Sequence, residues 1–111
     1  MRVLFIYPNQ MYTGDKIVFN YGVACLSALL KDNGHDCQLI QCNNCDTDTK
    51  IMEKTIKQFQ PHLIALSSVS SHMVLTRNII SYLKKFHSST PVILGGIHAT
   101  VSPDDAIKID H

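Results

Sequence analysis

The chain has 111 residues, a mass of 12.4 kDa, 45% hydrophobic and 17% charged side chains, and a formal charge of +1. That is one domain with a sizeable core, too short for separate cofactor and catalytic domains and too neutral to carry an electrostatic footprint for nucleic acid or an anionic membrane. The apolar run Val3–Tyr7 is stopped by Pro8-Asn9-Gln10, too soon for a membrane span or a signal peptide, and Cys residues without a secretory signal read as cytoplasmic thiols rather than a disulfide framework.

In chain order, Arg2–Tyr7 is apolar on both faces, which suits a buried parallel strand. A polar loop from Pro8 to Phe19 leads to Asn20, a cap for a helix over Tyr21–Asn33 with Val23, Leu26, Leu29 and Leu30 expected inward. Gly34 stands where a glycine stop belongs. Asp36–Gln41 is a second strand, and Met52, Ile56 and Phe59 give the inward face of a second helix from Asp48 to Gln60. Pro61 ends that helix, Leu63–Leu66 is a third strand, and Ser67–Ser71 is the loop after it. A third helix over His72–Phe86 turns Leu75, Ile79, Leu83 and Phe86 inward. Pro91–Leu94 is a fourth strand, closed by Gly95-Gly96. Ser102 followed by Pro103, Asp104 and Asp105 is a helix start: Ser as cap, Pro in the first turn, acids against the dipole.

This alternation predicts a three-layer αβα fold, flavodoxin-like and Rossmann-like, with a parallel sheet in the order 2-1-3-4. Such sheets usually continue to a fifth strand, so the chain is expected to be an N-terminal fragment of a longer protein. The fourth strand is then an apolar edge, and Val92–Leu94 is expected to pair with a second copy.

In open α/β sheets, ligands bind beyond the carboxyl ends of the strands, at the topological switch. The loops Pro8–Phe19, Ser67–Ser71 and Gly95–Thr100 meet at that edge. The first runs to about a dozen residues where two to six is usual. Gly95-Gly96 lets backbone approach a ligand closely.

These loops together resemble the cobalamin-binding domain of methionine synthase and methylmalonyl-CoA mutase. That family has Asp-x-His-x-x-Gly after the first strand, Ser-x-Leu after the third and Gly-Gly after the fourth. Here those places hold Asn9-Gln10-Met11-Tyr12-Thr13-Gly14, Ser67-Ser68-Val69 and Gly95-Gly96. Asn9 stands for the Asp and Met11 for the His, so the axial-ligand role is not carried over to Met11. A narrower resemblance rests on Arg2–Asn9, on Tyr21–His35 and, most specifically, on Gly95-Gly96-Ile97-His98-Ala99-Thr100-Val101-Ser102-Pro103. It is to the N-terminal domain of cobalamin-dependent radical SAM proteins, among them methyltransferases and anaerobic magnesium-protoporphyrin monomethyl ester cyclases.

The resemblance implies a cobalamin held without an axial His. The residues it implicates are Asn9, Gln10, Met11, Gly14, Ser67, Ser68, Val69, Ser70, Gly95, Gly96, Ile97 and His98. The iron–sulfur cluster, S-adenosylmethionine and the catalysis itself then belong to a radical SAM domain outside this chain. Small side chains at Ser67, Ser68 and Gly95-Gly96 are expected to leave a slot for the nucleotide tail, with the Ser hydroxyls as partners. His98 is placed either to touch the corrin or to bond local backbone.

Other readings of the same fold differ in one residue set each. A response-regulator receiver needs an Asp where Ser67 stands, and a dinucleotide site needs Gly-x-Gly-x-x-Gly after the first strand; both are excluded. An FMN site finds a faint echo in Tyr12-Thr13-Gly14-Asp15, and a cofactor-free structural or docking module fits the loss of Asp and His. Cys42-Asn43-Asn44-Cys45 has the spacing of half a zinc site but lacks a second half. His72, at a helix start, reads as a polar cap, and no Ser-His-Asp set, carboxylate pair or P-loop is legible.

Overall fold

The computed structural model describes residues 1–8, 20–42 and 46–108. The elements in chain order are β1 (Arg2–Pro8), α1 (Tyr21–Asp32), β2 (Asp36–Cys42), α2 (Asp46–Phe59) and β3 (Leu63–Ser67). A 3₁₀ turn (Ser70–His72), α3 (Met73–Phe86), β4 (Val92–Gly95), α4 (Ile97–Val101) and α5 (Pro103–Ile107) complete it. The four strands form one parallel sheet in the order β2-β1-β3-β4, as the alternation predicts. Among the described residues no helix is long and apolar enough to cross a membrane.

Alternate strand residues feed two cores. Leu4, Ile6, Ile64 and Leu66 face α2 and α3, where Met52, Ile56, Met73, Leu75, Ile79 and Leu83 close over them. Val3, Phe5 and Ala65 face the other way, against Val23 of α1. Period-two alternation in strands that are apolar on both faces is what two helical layers require.

Local signals fix the ends of α1. The Asn20 side chain accepts the Val23 N–H at 3.1 Å. At the other end Gly34 has φ +84, and the amides of Gly34 and His35 bond the carbonyls of Lys31 and Leu30 at 3.1 and 3.0 Å. That is the Schellman stop, which needs a left-handed residue at the Gly34 position.

Several expectations for helical faces are corrected. Leu26 and Leu29 are exposed, at 54% and 61%. Val23 and Leu30, two turns apart, are the α1 residues in the core cluster on that face, and the two leucines lie on an exposed flank. Ile93, in register with Ala65 on that same sheet face, is also open. Phe86, expected inward, is exposed because it lies in the last turn of α3, beyond the sheet-facing Leu83. The segment after Gly96, expected as loop, forms the short α4, and the Ser102 side chain makes no cap bond. Pro103 does occupy the first turn of α5, ahead of Asp104 and Asp105.

A polar tie joins α2 to α3. Tyr82 donates its hydroxyl to Glu53 Oε1, and His87 Nε2 lies 2.6 Å from the same oxygen. The Tyr82 bond, then the His87 bond, hold the Glu53 carboxyl below its ordinary range. Burial, reinforced by Glu53, pushes the Tyr82 phenol up to about 12.

Candidate functional site

The sheet register builds the site. Ser67 pairs with Gly95, so the loops after β3 and β4 leave the sheet side by side. Backbone bonds then lock them together: Ser68 N–H to Gly95 O at 3.2 Å, and His98 N–H to Ser68 O at 3.2 Å. β1 and β3 are neighbours with crossovers on opposite faces of the sheet, and their carboxyl ends flank the switch point.

Gly96 is required by this contact rather than by an open slot. Its φ is +93, and a Cβ there would lie 2.8 Å from both the N and the O of Ser68 and 2.9 Å from Ser67 Oγ. Its hydrogen therefore faces packed backbone. Gly95 is different: a Cβ there would meet nothing closer than Leu66 O at 4.0 Å.

The serines play unlike parts. Ser68 is buried, and with the Thr76 proton used elsewhere its hydroxyl donates to Thr76 Oγ1 at 2.8 Å, with Val69 O 3.1 Å away. Thr76 donates in turn to His72 O at 2.8 Å. The Ser68 hydroxyl thus serves the junction between β3 and α3. Ser67 is half-buried, with a long 3.5 Å contact from Asn20 Nδ2 that ties the end of the first loop to the second. Ser70 is exposed and meets His98 Nδ1 at 2.8 Å.

His98 is buried and doubly held, since its Nε2 lies 2.8 Å from Asp105 Oδ2. One guanidinium nitrogen of Arg77 meets both Asp105 oxygens, at 2.9 and 2.7 Å. The His98 bond foremost, then Arg77, holds the Asp105 carboxyl below its ordinary range. This is a Ser-His-Asp chain that linear reading missed. Its members lie on the 3₁₀ turn, α4 and α5, and no local motif links them. Arg77 already neutralises Asp105, so the chain reads as a clamp holding α4 and α5 against α3. With both ring nitrogens engaged, His98 offers no free lone pair to a metal.

His72 reverses the sequence expectation. It makes no side-chain cap bond, it is 5% exposed, and neither ring nitrogen has a hydrogen-bond partner among the described residues. Its ring stands edge-on to Tyr7, at 6.4 Å between centroids and 79° between planes. Tyr7 ends β1 and His72 follows β3, so the pair spans the switch point. An unpaired buried polar group costs about 1–3 kcal/mol.

Of the remaining sequence-derived residues, Val69 is half-buried and Ile97 points to solvent at 64% exposure. Asn9, Gln10, Met11 and Gly14 lie outside the described residues, as does Cys45 of the Cys pair. Among the described residues no cluster of His, Cys, Asp or Glu could hold a metal ion. A depression lined by Ser81, Lys84, His87, Thr90 and Pro91 opens at the opposite, amino-terminal edge of β4 and has no part in this site.

A doubly wound sheet with small and polar loops crowded at the switch point defines a ligand-binding α/β module. Residues 13–111 match the family described as the B12 binding domain, and the chain belongs to that family. It is similar to the anaerobic magnesium-protoporphyrin IX monomethyl ester cyclase of Rubrivivax gelatinosus, 26% identical over 97% of this chain and 20% of the relative. It is also similar to an uncharacterised methyltransferase of Pyrococcus horikoshii, 23% identical over 94% of this chain and 23% of the relative. The chain thus spans about a fifth of the length of these curated relatives. No solved structure matches it.

Proposed function

We propose that this chain binds cobalamin at the carboxyl edge of its sheet and serves as the cofactor-holding part of a cytoplasmic radical SAM enzyme. The observation that carries the reading is the family match across residues 13–111. The two relatives, a cyclase and a methyltransferase, support an enzyme of that kind, with the iron–sulfur cluster and S-adenosylmethionine in a domain outside this chain.

The residues present fit the group. Ser67, Val69 and Gly95 give a low-profile rim, Asn20 Nδ2 and Ser67 Oγ hold only a weak mutual contact, and His72, against Tyr7 at the end of β1, is a buried imidazole with no hydrogen-bond partner among the described residues. Asn9, Gln10, Met11 and Gly14 would complete the rim from the first loop. Cobalamin, when bound, supplies a cobalt able to carry a methyl group or to assist a radical step. The chain's own part is to bind and orient it. No protein imidazole serves as axial ligand in this proposal: Met11 stands at the ligand position, and both nitrogens of His98 are committed.

A cofactor-free docking module is the second reading, favoured by the Gly96–Ser68 packing that fills the gap between the two loops. One experiment separates them. The chain is mixed with hydroxocobalamin, desalted, and its absorbance spectrum recorded. Near-stoichiometric corrin retained without a histidine-ligated signature is the expected result. A colourless protein that remains folded by circular dichroism refutes the cobalamin reading.

A further inference from the structure

We propose that His72 is the hydrogen-bonding anchor for the nucleotide tail of the bound corrinoid, a step that rests on the cobalamin reading above. The notable feature is a contrast between two buried imidazoles at one sheet edge. His98 has both nitrogens satisfied within the protein, by Ser70 and Asp105. His72 has neither satisfied among the described residues, although it is as deeply buried. A neutral imidazole carries one N–H donor and one acceptor, so His72 presents both kinds of group unanswered. Native interiors rarely leave such a group unpaired, and an unpaired one at a ligand crevice points to a partner supplied by the ligand.

Position decides which part of the ligand that is. His72 follows β3, and its ring lies against Tyr7 at the end of β1, so the pair stands at the switch point. Its nitrogens are shut off from solvent in the unliganded chain, so the tail must part the side chains over them to pair with the ring. The flat corrin is too wide to enter between β1 and α3 and must lie outside the strand ends. The tail is slender and polar, with a phosphate, ribose hydroxyls and a base nitrogen, each able to pair with an imidazole. The neighbouring polar groups are already used: Ser68 with Thr76, and Thr76 with the His72 carbonyl. Those bonds hold the backbone under His72 in place and leave its ring as the free partner.

The test compares two corrinoids. Cobalamin carries the tail; cobinamide keeps the corrin and lacks it. Dissociation constants for both are measured by absorbance titration on the wild-type chain, His72→Leu and His72→Gln, with circular dichroism to confirm folding. The expected result is about a tenfold loss of cobalamin affinity in His72→Leu, the worth of one good hydrogen bond, with cobinamide unchanged and much of the loss recovered in His72→Gln. A direct reading on the wild type needs no variant: with ¹⁵N-labelled histidine, the His72 ring signals shift with cobalamin and not with cobinamide. Equal losses for both corrinoids, or ring signals indifferent to the tail, overturn the assignment while leaving cobalamin binding intact. A cobalt(II) resonance split by the His72 nitrogen overturns it in favour of axial ligation. Failure of the wild type to take up either corrinoid overturns the cobalamin reading, and this assignment with it.

Discussion

Replacing Gly96 by Ala tests the packing that joins the two central loops. The backbone there has φ +93 and ψ −174, a region open essentially to glycine, and holding another residue in it costs about 1–3 kcal/mol. The added methyl would also lie 2.8 Å from the N and O of Ser68, which are themselves bonded to Gly95 O and the His98 amide. Backbone cannot swing aside as a side-chain tip can, so one or both bonds must lengthen, at roughly 0.5–1.5 kcal/mol each. The sum is about 1.5–6 kcal/mol, a large share of the 5–15 kcal/mol typical of a whole domain. Gly34→Ala is the control. It shares a left-handed φ of +84, but nothing lies within 4 Å of the added methyl. It should cost about 1–2 kcal/mol from conformation alone. Urea unfolding followed by far-ultraviolet circular dichroism measures both. With a mid-range excess of about 2 kcal/mol and a slope of about 2 kcal/mol per molar, Gly96→Ala should lower the midpoint by about a molar more than Gly34→Ala. Equal midpoints in the two variants would refute the close-packing argument and return Gly96 to the role of an open ligand edge.

Three further outcomes are expected. Tyr82, raised to about 12, contributes stability that is complete below its unfolded value near 10 and is lost as pH climbs from 10 to about 12. Glu53, lowered, contributes above its unfolded value of 4.5 and loses that contribution as pH falls through its folded value. Tyr82→Phe should therefore flatten the alkaline limb of a melting-temperature profile and cost about 1 kcal/mol at neutral pH; an unchanged limb would remove the tie between α2 and α3 from the stability argument. His98→Ala removes a buried side chain and two bonds, and should cost about 2 kcal/mol and speed amide exchange at Ser102, whose N–H bonds the His98 carbonyl; protection equal to wild type would show that α4 does not depend on the clamp. The third concerns β4, which has no neighbour on its outer side among the described residues and leaves Ile93 53% exposed. We expect concentration-dependent self-association by sedimentation velocity, weakened in Ile93→Lys; a monomer at all concentrations would count against edge pairing.

The sheet was legible because each of its strands announces itself locally. Leu63-Ile64-Ala65-Leu66 has no polar break, and the structure buries alternate residues in two different cores. Asn20 and Gly34 bracket α1 by chemistry that acts over three or four residues. Whatever depended on a distant neighbour was not legible. Leu26 and Leu29 fit an inward helical stripe, yet no described residue packs over their flank. Ser102 has the form of a cap, but α4 ends there and its backbone is turned to His98. The Ser70–His98–Asp105 chain joins residues 28 and 7 positions apart, a spacing with no periodic signature. Gly96 reads in the sequence as a glycine that lets backbone approach a ligand, and in the structure the group lying against it is the Ser68 backbone. The residue type stated that space was needed, not who fills it.

His72 shows the same limit from the other side. At the start of a helix a polar residue is ordinarily explained by capping, and the sequence offers no reason to look further. Capping, however, requires the side chain to turn back over the first turn. At this position the 3₁₀ turn supplies its own backbone bond, His72 N–H to Val69 O at 3.0 Å, and the ring is left to lie against Tyr7. A buried ring with no hydrogen-bond partner among the described residues is a cost to the fold, whereas His98, buried as deeply, returns its cost through two bonds. His98 holds the loops, and His72 is the group available to a ligand.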